Sequence, residues 1–210
     1  MTCARADSLS TANLVWSKLP TGLLSVSHYV WAAFQDGLPR MIYALVHYPE
    51  INTERIDHLR MRYDPQANLI APHVTLIFPL PETVDEPALI SHIERVLLRR
   101  KPFQIRLAKL ERSLDNCLFL TATEGAEELA SLHDDLYTGM LAGYKKADMP
   151  YIPHVTLGVF TEQPALLEEA FEVAHQLNLD YESVVNRLCL VKVNNKKTAI
   201  VWSKAFSLAE

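Results

Sequence analysis

The sequence predicts an α+β fold in which two similar lobes face each other. Strand patterns and helix patterns follow one another along the chain, with apolar residues at the spacing typical of each. The pentapeptide Pro-His-Val-Thr-Leu occurs twice, at residues 72–76 and 153–157. Around each copy the predicted order is helix, His-bearing strand, helix, strand, strand. This order indicates an internal duplication, with a period too long for a solenoid.

Periodicity and turn residues predict the individual elements. Strands are predicted at residues 41–48, 69–78, 103–111, 117–123, 153–161, 181–193 and 198–206, and helices at 51–62, 86–100, 126–142 and 164–177. Pro79 and Pro81 are expected to end the second strand, because proline cannot donate to a sheet ladder. Residues 194–197, Asn-Asn-Lys-Lys, are expected to turn the last hairpin.

Residues 1–40 differ from the rest of the chain. They mix small, polar and apolar residues without clear periodicity, and Lys18, Pro20 and His28 interrupt the apolar stretch. This pattern does not fit a signal peptide. We therefore expect residues 1–40 to be an N-terminal extension of uncertain structure, and residues 41–210 to form the two-lobed domain.

Composition and charge limit the partners. Hydrophobic residues make up 49% of the chain, charged residues 21%, and the net charge is -5. An acidic chain argues against a module that binds duplex nucleic acid, although a small basic cleft for one or two phosphates remains compatible with it. No apolar run reaches the ~20 residues of a bilayer span, so no membrane partner is expected.

Three cysteines, Cys3, Cys117 and Cys189, lie far apart in the sequence and form no CxxC pair. Neither a disulfide framework nor a zinc ribbon is therefore predicted. Cys117 and Cys189 lie in apolar segments and are expected in the core. Thiols of this kind suit a reducing compartment, so we expect a cytoplasmic protein. We also expect a monomer.

The repeated motif predicts a pair of acid-base catalysts. Side chains alternate along a strand, so His73 shares a face with Thr75, and His154 shares a face with Thr156. If the lobes oppose these faces, two imidazoles and two hydroxyls converge on a cleft. A neutral imidazole can take a proton while a protonated one delivers a proton to a leaving oxygen. The threonine hydroxyls can bind non-bridging phosphate oxygens. Which histidine is the base stays open, because the halves are nearly identical.

The same residues admit other interpretations. A single histidine on a half-buried strand is more often a packing residue, and only the repetition favours catalysis. Two histidines and two threonines are poor zinc ligands, so neither a metal nor another cofactor is predicted. Tyr151 and Phe160 are candidate substrate-binding residues that could stack on a base. Phe160 is expected on the face of His154, with Gly158 leaving room between them. The other helical histidines are expected at the surface: His58, His92, His133 and His175.

The two His-x-Thr-Leu motifs, about eighty residues apart, resemble those of the 2H phosphoesterase superfamily, which includes 2'-5' RNA ligase-like proteins and cyclic nucleotide phosphodiesterases. The resemblance covers residues 41–206. It implies a bilobal fold of two pseudo-symmetric antiparallel sheets, with helices packed outside and the motifs lining a central cleft. It also implies that His73 and His154 are the acid-base pair, that Thr75 and Thr156 bind phosphate, and that no metal takes part.

The sequence therefore predicts an enzyme of RNA processing that hydrolyses a 2',3'-cyclic phosphate on an RNA end or a nucleotide. The expected partner is a small nucleotide or an RNA end. The resemblance also implies 2'-5' linkages and ADP-ribose cyclic phosphate as family substrates. Two alternatives stay open: 2'-5' RNA ligase or 2'-5' phosphodiesterase activity, and a noncatalytic module that binds nucleotides or RNA ends.

Overall fold

The computed structural model describes residues 42–81, 83–145, 150–193 and 197–206. A strand-helix-strand-helix-strand unit occurs twice and is followed by a hairpin. The first unit comprises β1 (Ile42–His47), α1 (Glu54–Tyr63), β2 (Val74–Pro81), α2 (Glu86–Leu97) and β3 (Phe103–Arg112). The second comprises β4 (Cys117–Glu124), α3 (Ala126–Leu136), a 3₁₀ helix (Gly139–Tyr144), β5 (His154–Val159), α4 (Leu166–Gln176) and β6 (Tyr181–Val185). The hairpin strands are β7 (Arg187–Val193) and β8 (Thr198–Ala205).

The eight strands form one antiparallel sheet in the order β6-β3-β4-β5-β2-β1-β7-β8. Its centre is β2 beside β5, joined by a single pair, Val74 with Val155. The expectation of two separate sheets therefore differs from the structure, in which two four-stranded halves share one bridge. The expected N-terminal extension, residues 1–40, and the turn residues 194–196 lie outside the described residues.

A single residue makes the sheet curl. Asn186 alone separates β6, which pairs with β3, from β7, which pairs with β1 in the other half. One residue spans only about 7 Å between its neighbours, so the two halves must approach each other there. Phe206 N–H donates to Asn186 O at 2.8 Å and closes the corner. The prediction of one continuous strand over residues 181–193 was wrong, because this corner divides it.

The four helices cover the convex face of the curled sheet. α1 and α4 pack on β5, and α3 packs on β2 and β4. The core between helices and sheet contains alternate strand residues, among them Leu76, Leu120 and Leu157, which are fully buried. Cys117 and Cys189 are buried, as predicted. Among the described residues, no helix has the length and apolar character that a bilayer span needs.

Local residues explain most element ends. Asp85 caps α2 by accepting the Ala88 N–H at 2.9 Å, and Pro87 follows in the first turn. The helix predicted over 126–142 ends at Leu136, and a separate 3₁₀ helix begins at Gly139 after an extended Thr138. β2 does not stop before Pro79. It runs to Pro81, because the β1–β2 register shifts at Pro79 and the other side of β2 is unpaired there, and both conditions tolerate proline.

Candidate active site

The fold brings the two motif strands together at the centre of the sheet. In an antiparallel pair of strands, one step forward on one strand matches one step back on the other. The Val74–Val155 pair therefore places His73 across from Thr156, and Thr75 across from His154. All four side chains are half-buried and lie on the concave face, opposite the helices. The two imidazoles are on diagonal neighbours, a relation that puts the residues about 7–8 Å apart and their Cβ atoms slightly closer. This spacing leaves room for one phosphate group.

Both imidazoles are fixed by the same backbone arrangement. His73 Nδ1 donates to Ala71 O at 2.8 Å, and His154 Nδ1 donates to Ile152 O at 2.7 Å. A carbonyl can only accept, so Nδ1 carries the proton and Nε2 is the basic atom of each neutral ring. The intervening proline of each motif has a fixed φ and favours an extended residue before it. The sequence Pro-His therefore sets the tautomer as well as the position of the imidazole.

The surroundings of His154 are aromatic and acidic. Phe119 on β4 stacks on the imidazole with ring centroids 3.7 Å apart and an angle of 22°. Burial lowers the pKa of His154 from its usual value, whereas the hydrogen bond to Ile152 O and the carboxylates of Asp115 and Glu111 raise it. The balance is a lowered pKa with nearby negative charge that favours the protonated ring.

The surroundings of His73 are cationic. Burial is the main reason that the pKa of His73 falls to about 4, and the charges of Arg60 and His154 lower it further against the hydrogen bond to Ala71 O. Tyr48 lies edge-on to the imidazole, with ring centroids 6.2 Å apart. The two motif histidines therefore differ electrostatically although their motifs are identical in sequence.

Tyr151 does not lie on the face of the imidazoles. Its ring stacks on the His133 ring with centroids 4.0 Å apart, and its hydroxyl donates to Thr75 O at 2.9 Å. These contacts place Tyr151 on the convex side, where it supports β2 from behind. The expected position of Tyr151 at the cleft therefore differs from the structure, where its ring and hydroxyl both contact the protein.

Phe160 also lies on the convex side. It is 3% exposed and packs against Tyr63 of α1, with ring centroids 5.5 Å apart. The β4–β5 register shifts by one residue before Gly158, and a one-residue shift moves the following side chains to the other face. The expectation that Phe160 shares the face of His154 is therefore wrong. Gly158 does leave room for this ring, since a Cβ there would lie 2.7 Å from it.

Two of the helical histidines expected at the surface are buried. His92 Nε2 donates to Leu136 O and His133 Nδ1 donates to Leu76 O, both at 2.8 Å. Their carbonyl partners lie far away in sequence, so no local sequence pattern predicts that these two histidines are buried. His58 and His175 are exposed, as predicted.

Sequence reasoning missed Phe119, Tyr48 and Arg60. The Leu-Phe-Leu alternation around Phe119 does predict that its ring lies on the face opposite Leu118 and Leu120. The register that brings the ring onto His154 involves a distant strand and left no local signal. Within the described part of the chain, no group of three or more His, Cys, Asp or Glu residues is arranged to hold a metal ion.

Comparison with known proteins identifies the family. A profile described as the 2'-5' RNA ligase superfamily matches residues 48–197. A Bacillus licheniformis protein named "Putative phosphoesterase" is 30% identical over 158 residues, which cover 72% of this chain and 89% of that protein. A Geobacillus kaustophilus protein of the same name is 28% identical over 158 residues, covering 72% of this chain and 87% of its own.

Solved structures share the fold. Apo E. coli LigT has a TM-score of 0.55 at 18% identity and covers 81% of this chain and 98% of its own. E. coli LigT complexed with 3'-AMP has a TM-score of 0.51 at 18% identity and covers 81% and 99%. The profile match and the curated relatives agree with the paired motif. The chain belongs to the 2'-5' RNA ligase superfamily, among the 2H phosphoesterases.

Proposed function

We propose that this protein hydrolyses 2',3'-cyclic phosphates on RNA ends or nucleotides, with His73 and His154 as its acid-base pair and without a metal. The observation that carries the proposal is the diagonal placement of the two imidazoles, each with Nδ1 tied to its own backbone. Each Nε2 is then the atom available to substrate. Membership of the family supports phosphoesterase activity. The LigT structures with 3'-AMP and with ATP support a small nucleotide as substrate.

The reaction requires one proton to be taken and one to be delivered. Nε2 of the base accepts a proton from water as the water oxygen attacks phosphorus. The bond from phosphorus to one ring oxygen breaks, and Nε2–H of the other histidine protonates that leaving oxygen. The product is a nucleotide phosphomonoester. Thr75 and Thr156 donate hydrogen bonds to the non-bridging oxygens as negative charge builds there.

The two environments support a division of roles. The charge of Arg60 disfavours protonated His73, so His73 is suited to accept a proton. Asp115 and Glu111 favour protonated His154, so His154 is suited to donate one. We therefore assign the base to His73 and the acid to His154.

The first test is turnover of 2',3'-cyclic AMP, and of a short RNA with a 2',3'-cyclic end, in the presence of EDTA. His73→Ala and His154→Ala should each lower the rate by roughly 10²–10⁴-fold, the usual range for acid-base groups. His58→Ala is the matched control, because His58 is an exposed histidine of α1 and should leave the rate unchanged. EDTA-sensitive turnover, or full activity in either motif variant, would refute the mechanism.

A substrate with sulfur in place of the leaving oxygen tests the division of roles. A thiolate leaves readily without a proton, because thiols are far more acidic than alcohols. His154→Ala should therefore recover much of its rate on this substrate, and His73→Ala should not. Recovery by His73→Ala instead would reverse the assignment.

The family description favours 2'-5' linkages as a second candidate reaction. The same pair of imidazoles could cleave a 2'-5' phosphodiester or form one. A 2'-5' linked dinucleotide, assayed beside the cyclic substrates, separates the two reactions by their products. Binding of nucleotides without turnover of any of these substrates would point to a noncatalytic module.

A further inference from the structure

A pocket of about 460 Å³ lies beside His73, between the loops before and after α1. Its size is within the range of small-molecule sites. Its walls include Tyr48 and Asp57 on one side, and Asn68, Ile70 and Ala71 on the other. Of the motif residues only Pro72 lines the pocket, which therefore adjoins one end of the proposed catalytic arrangement without including either imidazole.

The pocket shares two walls with His73. Ala71 lines the pocket, and its carbonyl accepts the His73 Nδ1–H at 2.8 Å. Tyr48 lines the pocket as well, and its ring lies edge-on to the imidazole, with centroids 6.2 Å apart. A substrate whose phosphate contacts His73 can therefore extend a neighbouring group into this pocket.

The lining favours an uncharged ring with hydrogen-bond donors. Among the described residues that line the pocket there is no lysine or arginine, and Asp57 would repel a second phosphate. Thr53 Oγ1 donates to Asp57 Oδ2 at 2.6 Å and holds the carboxylate at the pocket. Tyr48 and Ile70 provide the aromatic and apolar surface on which a flat ring can pack.

The pocket wall that contains Asn68, Ile70 and Ala71 is held in place by hydrogen bonds within the protein. Arg60, which is 2% exposed, donates from Nη2 to Ile70 O at 2.9 Å. The same guanidinium donates from Nε to Asp64 at the start of this loop. A wall that is ordered in advance lowers the entropic cost of binding.

We propose that this pocket binds the nucleobase of the substrate nucleotide, and that it prefers a base with an exocyclic amino group over uracil. The inference rests on the proposed function, because it places the scissile phosphate at His73. Carboxylates accept hydrogen bonds from base amino groups, as from N4 of cytosine. Uracil has a carbonyl oxygen at that position, which a carboxylate repels.

Cytidine and uridine 2',3'-cyclic phosphates provide the sharpest test, because they differ only along one edge of the base, in the group on C4 and in the proton on the adjacent N3. The wild type should turn over the cytidine substrate with a kcat/KM about tenfold higher, the effect of one hydrogen bond to a charged group. Asp57→Asn should abolish or reverse this preference, since an amide can donate to the uracil oxygen. Glu54→Gln is the matched control on the first turn of α1, outside the pocket, and should keep the wild-type preference.

The outcomes separate this inference from the proposed function. Turnover of both substrates with equal kcat/KM, or a preference unchanged in Asp57→Asn, would overturn the base pocket and leave the phosphoesterase intact. If neither substrate reacts, the proposed function fails, and binding of cytidine itself decides. If cytidine shifts the methyl NMR signals of Ala67 and Ala71 in the wild type but not in Asp57→Asn, the pocket is upheld. If cytidine does not shift these signals in the wild type, the pocket is overturned.

Discussion

Replacing Arg60 with methionine should destabilise the protein strongly, although Arg60 is a charged residue. Its side chain is 3% exposed, as is that of its partner Asp64, and Nε donates to Asp64 Oδ2 at 2.9 Å. Nη2 donates to Ile70 O, three residues before His73. The guanidinium thus ties α1 to the loop that precedes His73, the proposed base.

The expected loss follows from these contacts. Removing one member of a buried ion pair leaves an uncompensated charge and costs about 3–5 kcal/mol. The Ile70 carbonyl also loses a donor, which adds about 1–3 kcal/mol. Since domains are stable by only about 5–15 kcal/mol, Arg60→Met should remove a large share of the free energy of unfolding.

A second substitution separates charge from packing. Asp64→Asn removes the buried charge but keeps the Oδ1 that accepts the Gln66 N–H at 2.8 Å. The double variant Arg60→Met/Asp64→Asn should therefore be more stable than Arg60→Met alone, by at least about 2 kcal/mol. Urea unfolding of the wild type, both single variants and the double variant completes the cycle.

Arg62→Met provides the control, because Arg62 is the next arginine of α1 but forms its ion pair with Glu169 at the surface. Its loss should cost less than about 1 kcal/mol. If Arg60→Met costs no more than this control, or if Asp64→Asn restores nothing, the account of the buried pair is wrong. The double variant should also raise the pKa of His73 in an NMR titration, because burial still lowers this pKa but the further lowering by the Arg60 charge is gone.

Three further predictions concern the site and its supports. Phe119→Leu removes the ring that stacks on His154, so kcat should fall about two- to tenfold with KM unchanged in steady-state kinetics. Gly158→Ala places a Cβ 2.7 Å from the Phe160 ring, so thermal melts should show a loss of about 1–3 kcal/mol, partly restored by Phe160→Leu. The pKa of His73 is lowered from 6.5 to about 4, so within this window the unfolded chain binds a proton that the folded chain does not. The free energy of unfolding should therefore decrease as pH falls from 6.5 to 4, and His73→Gln should flatten that decrease in urea unfolding at a series of pH values.

Much of the chain could be predicted because its signals are local. Within the described residues, period-two and period-3.6 patterns located α1 to α4 and the strands, except that β6 and β7 were predicted as one strand, and the duplicated pentapeptide predicted which strands carry the polar face. The identical motifs also have equivalent backbone settings around His73 and His154. The structure shows this equivalence in their matching hydrogen bonds to Ala71 O and Ile152 O.

The failures share a physical origin in contacts that are distant in sequence. The division at Asn186 depends on which strands β6 and β7 pair with, and the apolar pattern of residues 181–193 is compatible with either arrangement. Phe160 changed faces because of a one-residue register shift against β4. The electrostatic difference between His73 and His154 depends on Arg60 and on the turn that carries Asp115, neither of which belongs to a motif.

The spacing of the two histidines depends on reciprocal packing between the two repeats. Only the Val74–Val155 pair joins their strands within the sheet, so sheet hydrogen bonds alone hold them weakly. α1 of the first repeat packs on β5, and α3 of the second repeat packs on β2. Tyr151, which precedes the second motif, donates to Thr75 O of the first. Each histidine strand is thus supported by elements of the opposite repeat, and the proposed acid-base pair needs such support because small displacements cost activity.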